Sequence, residues 1–95
     1  MSVIYIGQSQ AKPDTIDEMS HLLSSVVIPA VNSSAGCESC RFYQSEDDPT
    51  KFLGIEIWTS VEAYRAAIKN IPPDAIAAFM KLVAGSPGGG YYRSL

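Results

Sequence analysis

Basic residues, histidine and cysteine are all scarce in this sequence. Only 7 of its 95 residues are Lys or Arg, against 10 Asp or Glu, and the formal net charge is −3. Nucleic acids and anionic membranes are bound through basic patches, so neither is an expected partner. One histidine and two cysteines also leave a four-ligand structural zinc site unfilled within one chain, so no metal site is expected.

Long apolar runs are missing as well, and no secretory leader is expected. No segment approaches the roughly 20 consecutive apolar residues that a membrane-spanning helix needs. The stretch MSVIYIGQSQ has neither a basic region nor an apolar run of signal-peptide length. We therefore expect a cytoplasmic protein without a membrane span, built as one domain over residues 1–95.

What the sequence does contain is an ordered succession of strand and helix patterns. Residues 3–10 alternate, residues 16–31 repeat apolar side chains at helical spacing, and residues 37–44 and 51–59 predict a hairpin. Two shorter helices, over 60–70 and from residue 74, precede a glycine-rich hinge at 85–90 and a final strand at 91–95. This β-α-β-β-α-α-β order is typical of an α+β ferredoxin-like fold, in which an antiparallel sheet carries its helices on one face.

The predicted second strand of the hairpin is apolar on both of its faces. Phe52, Gly54, Glu56 and Trp58 alternate with Leu53, Ile55 and Ile57. The first set is expected to face the helices, which leaves the second set on the uncovered face of the sheet. A second copy of the same sheet would cover it, so the sequence predicts a homodimer joined through this face.

The two cysteines, Cys37 and Cys40, have C-x-x-C spacing at the start of a predicted strand. In extended chain their Cα atoms would lie about 10 Å apart and their side chains would point to opposite faces. A disulfide needs Cα atoms within roughly 7 Å, so we expect two small buried residues and no bond. A site bridging two subunits is the alternative interpretation.

Earlier in the chain, Pro29 is expected to kink or end the first helix.

The segment AGCESCRFYQSEDDPTKFLGIEIWTSVEAY, residues 35–64, combines several short motifs in order. They are Gly36-Cys37, Tyr43, the turn Asp47-Asp48-Pro49, then Phe52, Glu56 and Trp58, and finally Ser60 and Glu62-Ala63. In this order and spacing they resemble the antibiotic biosynthesis monooxygenase (ABM) family. The resemblance implies a ferredoxin-like domain that dimerises sheet to sheet into an α+β barrel. Many members of that family oxidise phenols, hydroquinones or anthrones with molecular oxygen and no cofactor, while others degrade haem or isomerise small phosphorylated molecules.

The resemblance also implies three catalytic candidates, Trp58, Tyr64 and Tyr43. In the quinone-forming branch of the family, a tryptophan and two tyrosines at these spacings surround an aromatic substrate. That branch carries an asparagine where this chain has Gly54, which is expected to remove a polar group and enlarge the pocket. The family's usual histidine is absent near Ala67, which argues against haem degradation because haem iron needs an axial ligand.

Five residues are candidates for substrate binding. They are Gly54, Glu56, Phe52, Gln8 and Arg93. Glu56 has two interpretations. It is a proton acceptor with a raised pKa if it is buried without a cation, or it is a partner of a Lys or Arg such as Arg93. Gln8 or its neighbour Ser9 is expected to supply the polar group that Gly54 lacks.

The sequence thus favours a cofactor-independent monooxygenase acting on a small aromatic, phenolic or quinol-like substrate. Two alternatives stand beside it. One is a non-catalytic dimer that binds a small ligand. The other is an isomerase or cyclase that acts on a small carbonyl compound through a buried carboxylate.

Overall fold

A computed structural model describes residues 2–95 of the chain. The strands are β1 (Val3–Gln10), β2 (Cys37–Gln44), β3 (Lys51–Trp58) and β4 (Gly88–Tyr92), and the helices are α1 (Ile16–Leu22), α2 (Ile28–Asn32), α3 (Val61–Ile68) and α4 (Pro73–Leu82). A π-helical segment, Leu23–Val27, joins α1 to α2. The sheet is antiparallel, with the order β2-β3-β1-β4. The predicted α+β ferredoxin-like fold is confirmed.

The alternation along β3 separates the two faces of the sheet as predicted. Phe52, Gly54, Glu56 and Trp58 are buried beneath the helices, whereas Leu53, Ile55 and Ile57 are only half-buried. Residues that stand opposite each other in an antiparallel pair share a face. Ile4 and Ile6 of β1, which stand opposite Ile57 and Ile55, therefore extend the apolar character of the uncovered face.

The helix-covered face holds two buried clusters. Near the hairpin turn, Phe52 packs with Ala11, Met19, Leu23 and Val83. At the other end of the sheet, Trp58 packs with Val31, Cys40 and Ala67. Met19 and Trp58 are the largest side chains that are almost fully buried, so each anchors one cluster. None of the helices within residues 2–95 is both long and apolar enough to cross a bilayer.

Pro29 does not end the first helix, contrary to one of its two predicted effects. The backbone continues through it to Asn32, and the helix widens just before it into the π-helical segment. There the N–H of Ile28 donates to the carbonyl oxygen of Leu23, five residues back. A proline lacks an N–H and its ring collides with the carbonyl four residues earlier, here that of Ser25. The wider turn accommodates both effects.

The prediction that Cys37 and Cys40 point to opposite faces is wrong. The register of β2 against β3 shifts between Cys37 and Ser39, so Glu38 is an extra residue in a β-bulge. Cys37 stands opposite Trp58 and Cys40 opposite Glu56, both on the helix-covered face. Both thiols are free. Burial raises the pKa of Cys40 to about 12 and also raises that of Cys37, so both remain protonated and unreactive near neutral pH.

The last strand begins earlier than predicted. β4 starts at Gly88 and ends at Tyr92, and Gly89 and Gly90 stand opposite Gly7 and Ile6 of β1. These glycines are therefore part of the sheet and do not form the predicted hinge. Arg93 lies just beyond the end of the strand and is exposed.

Candidate functional site

A cavity of about 260 Å³ lies between the helix-covered face of the sheet and the helices. Its walls are mainly apolar side chains from the π-helical segment, α4 and β2, among them Val27, Phe42 and Phe79. Glu56 is the one charged side chain among the residues that line it. Concave, mostly apolar sites with a few placed polar groups are the usual form of a small-molecule site, so this cavity is the candidate functional site.

Glu56 is buried, with 8% of its surface exposed. Its Oε1 accepts a hydrogen bond of 3.0 Å from the indole Nε1 of Trp58, two residues along the same face of β3. Burial raises the pKa of the carboxyl group, and the hydrogen bond from Trp58 opposes part of that rise. The prediction that Glu56 pairs with a Lys or Arg, such as Arg93, is wrong, because its partner is the neutral indole.

Trp58 stands behind Glu56 and does not line the cavity. Only 1% of its surface is exposed, and it packs in the cluster that contains Cys40 and Ala67. The position of Trp58 therefore contradicts the prediction that it lines the pocket. Its indole N–H orients the Glu56 carboxylate instead, which makes Trp58 a positioning residue.

Tyr64 lies in a group of aromatic rings beside this pair. Its ring stacks on that of Tyr5 with centroids 4.4 Å apart and meets the ring of Trp58 edge-on at 5.7 Å. Tyr91 contacts both tyrosines at 5.5 Å. Burial, followed by the nearby Tyr5 hydroxyl, raises the pKa of Tyr64. Tyr64 therefore stays protonated and behind the cavity wall that Tyr5 forms.

Tyr5 lines the cavity and, like Phe42, was not singled out by the sequence. Alternation along β1 places it on one face with Val3 and Gly7, but alternation alone does not say which face is covered. The pairing with β3 decides this, because Tyr5 stands opposite Glu56. Pairing the middle of the first strand with the middle of the third strand would have placed Tyr5 opposite Glu56.

Tyr43 is not near Trp58, which corrects the predicted arrangement of two tyrosines around that residue. It stands opposite Leu53 on the uncovered face, with 49% of its surface exposed. The bulge at Glu38 is the cause, because a slip of one residue turns every following side chain to the other face. Phe42 takes the inward position in its place.

Gly54 does not enlarge the pocket in the predicted way. A Cβ atom at this position would lie 2.7 Å and 3.0 Å from two carbons of the Phe42 ring. The ring of Phe42 thus fills the space that the missing side chain leaves.

The remaining candidates are dispersed. Phe52 belongs to the core beside Met19 and is absent from the lining of this cavity. Gln8 is exposed and reaches the cavity at its edge, together with Ser9. Arg93 is exposed and outside the lining. Within residues 2–95, no group of three or more His, Cys, Asp or Glu side chains is arranged to hold a metal ion.

Comparison with known proteins places this chain in a family. The family model for antibiotic biosynthesis monooxygenase matches residues 2–82. The chain therefore belongs to the antibiotic biosynthesis monooxygenase family, and the resemblance found in the sequence is confirmed. A comparison with curated proteins gives no match.

Solved structures support the fold. A conserved protein from Methanosarcina mazei Go1 has a TM-score of 0.89 at 18% identity, covering 100% of this chain and 94% of that one. Rv0793 from Mycobacterium tuberculosis has a TM-score of 0.85 at 20% identity, covering 100% and 96%. SnoaB, a cofactor-independent oxygenase from Streptomyces nogalater, has a TM-score of 0.82 at 14% identity, covering 98% and 92%. At these identities the likeness shows the shared fold alone.

Proposed function

We propose that the chain is a cofactor-independent monooxygenase that oxidises a small phenolic substrate with molecular oxygen. The observation that carries the proposal is the Glu56 carboxylate. It is buried, it faces an apolar cavity, its pKa is raised, and the indole of Trp58 holds it in place. A carboxylate in such a setting is a stronger proton acceptor than one in water.

The chemistry that this site supports begins with removal of a proton. Glu56 accepts the phenolic proton, and the resulting electron-rich anion passes one electron to oxygen. The radical pair joins at the ring carbon opposite the oxygen, and Glu56 returns its proton to the peroxide. Loss of water then leaves a quinone. One phenol that carries a hydrogen at that carbon and one O₂ thus give one quinone and one H₂O.

An isomerase acting on a small carbonyl compound is the second candidate, because it would use the same carboxylate to move a proton. The isomerase needs no oxygen, so oxygen uptake separates the two candidate functions.

In the experiment, purified protein is incubated with 1,5-dihydroxynaphthalene, and both oxygen consumption and the appearance of the coloured quinone are followed. Uptake above the spontaneous rate supports the monooxygenase. Absence of uptake with this substrate and with related naphthols and anthrones would reject it in favour of binding or isomerisation.

Trp58→Phe is expected to weaken the reaction through Glu56. The change removes the hydrogen bond that stabilises the ionised carboxylate, so the pKa of Glu56 rises further. The low-pH limb of the rate profile then moves to higher pH. A hydrogen bond to a charged group contributes about 1.5–3 kcal/mol, so this limb should move by about one pH unit or more. Tyr92→Phe, which alters an exposed tyrosine, is the control and should leave the profile unchanged.

We further propose that the protein is a homodimer joined through the uncovered face of its sheet. The support is the row of half-buried apolar side chains on β3 and β1, which includes Leu53, Ile55 and Ile4. Members of this family typically form dimers.

We also propose that the chain is a single domain and that it works in the cytoplasm, where its two free thiols would stay reduced.

Ile55→Glu is expected to separate the dimer. A carboxylate at the centre of the sheet face would be buried without a partner in both copies, and burial of an unpaired charge is costly. The wild-type protein should show twice the 10.2 kDa chain mass by light scattering, and the variant should show the single mass at about 10 μM. Ser20→Glu adds the same charge to an exposed helix position and should remain dimeric. A dimeric Ile55→Glu would place the interface elsewhere.

A further inference from the structure

We propose that Phe42 sets the upper size of the substrate, so that the cavity accepts a neutral hydroxyarene of two fused rings and rejects one of three. This inference rests on the proposed function, since it concerns the same cavity. It comes from the contact between Phe42 and Gly54, which the activity itself does not require.

The first step of the argument is the position of the Phe42 ring. Phe42 and Gly54 stand opposite each other on neighbouring strands, and both line the cavity. The atoms Cε2, Cζ and Cδ2 of Phe42 lie 2.7, 3.0 and 3.2 Å from the place where a Cβ of residue 54 would be. The ring therefore lies directly on the backbone of β3 and forms the floor of the cavity beside Glu56.

The second step is the volume that remains. An apolar cavity of about 150 Å³ holds one benzene ring. The present cavity of about 260 Å³ has room for a second fused ring beyond that. The cavity is partly open to solvent, so a third ring that points outward would lie in water and add no contacts. A third ring that points toward the floor would need the space that the side chain of Phe42 now occupies, because the close-packed walls resist displacement.

The third step concerns charge. Glu56 is the one ionised group in the lining, and the rest of the wall is apolar or neutral. A phenolic O–H matches Glu56, because it donates the hydrogen bond that a buried carboxylate needs. A carboxylate or phosphate on the ligand would be buried beside Glu56 without a cation. The expected substrate is therefore neutral, with its hydroxyl group at one end of a two-ring system.

Two substitutions alter the floor in opposite directions. Phe42→Leu removes the flat ring while keeping an apolar side chain, and it should open the floor to a third ring. Gly54→Ala places a methyl group against the ring of Phe42 and should push that ring into the cavity, which favours a single ring. Phe42 packs against both buried clusters, so leucine is chosen over alanine to preserve the fold.

The test measures dissociation constants by titration calorimetry for phenol, 1-naphthol and 1-anthrol, with 1-hydroxy-2-naphthoate as the anionic probe. The wild-type protein should bind 1-naphthol at least tenfold more tightly than 1-anthrol or the anion. Phe42→Leu should reduce the preference for 1-naphthol over 1-anthrol at least tenfold. Gly54→Ala should shift the preference toward phenol. Phe52→Leu, the same change in a core residue outside this cavity, should leave every ratio unchanged.

The outcomes separate this inference from the proposed function. If 1-naphthol binds with the expected size preference but oxygen uptake is absent, the role of Phe42 stands and the monooxygenase is rejected. If oxygen is consumed but Phe42→Leu leaves the size ratio unchanged, the monooxygenase stands and the role of Phe42 is rejected. Tight binding of 1-anthrol by the wild-type protein, or no binding of any of the phenols, also overturns the inference.

Discussion

Glu56→Gln is expected to lower kcat by about 10²–10⁴-fold, the range that a positioned general base contributes. Glutamine has nearly the same shape as glutamate and its carbonyl oxygen still accepts a hydrogen bond from the Trp58 indole. The walls of the cavity are unchanged, so binding of the neutral phenol should persist. The substitution thus removes proton acceptance and little else. Oxygen consumption and calorimetric binding, measured on the same preparation, report the two properties separately.

The pH profile gives an independent reading of the same residue. Burial raises the pKa of Glu56 above its ordinary value of 4.5, so the group becomes an acceptor only above that raised pKa. The wild-type rate should therefore rise with pH through this range and level off above it, and Glu56→Gln should lack the step. Glu62→Gln, at an exposed glutamate in the first turn of α3, is the matched control and should keep both rate and profile. A Glu56→Gln variant with the wild-type rate would show that another group takes the proton.

Gly36→Ala is expected to lower the free energy of unfolding by about 2–5 kcal/mol, the sum of a left-handed backbone penalty and steric crowding. Gly36 has a φ of 84°, a conformation that L side chains rarely adopt. Its added Cβ would also lie 2.7 Å from the Cβ of Ala63 and 2.8 Å from Oγ1 of Thr59. Since Thr59 lies in the connection from β3 to α3 and Ala63 lies in the first turn of α3, the clash would push that helix off the sheet.

Gly85→Ala is the matched control for this substitution. Gly85 has a similar φ of 72°, but an added Cβ would meet nothing within 4 Å. Gly85→Ala should lower the free energy of unfolding only by the left-handed backbone penalty, about 1–2 kcal/mol. Urea denaturation of the two variants therefore separates crowding from backbone strain. Equal losses for both would show that the α3 connection yields and that crowding at Gly36 has no cost.

The features that follow from local patterns were predictable from the sequence. The strict alternation of Phe52 to Trp58 fixes a strand with one face under the helices, and the turn-rich segment before it fixes the hairpin. Together with the apolar repeat over residues 16–31 they give the element order, and the order gives the fold. Burial of Glu56 without a cation was also one of the two interpretations, because the alternation along the strand places Glu56 on the same face as Trp58.

The features that the sequence did not reveal depend on single residues that break a pattern. Glu38 is an ordinary polar residue, yet as a bulge it exchanges the faces of Phe42 and Tyr43. No propensity marks it, since a bulge is fixed by the pairing of two strands. The same holds for Tyr5, whose place in the site comes from its partner Glu56 across the sheet. The indole partner of Glu56 was missed because an ion pair was the expected way to bury a carboxylate.

The shape of the cavity depends on the number of residues in the π-helical segment ahead of Pro29. Leu23 and Val27, at the two ends of this segment, both line the cavity, and the segment holds one residue more than an α-helical turn would. In a relative with another residue in place of Pro29, deleting one residue there would let α1 and α2 merge into a regular helix that still seats the equivalents of Met19 and Val31, while the wall between them is withdrawn. Relatives could thus reshape this pocket by the gain or loss of a single codon, which a comparison of aligned residues one by one would record only as a gap.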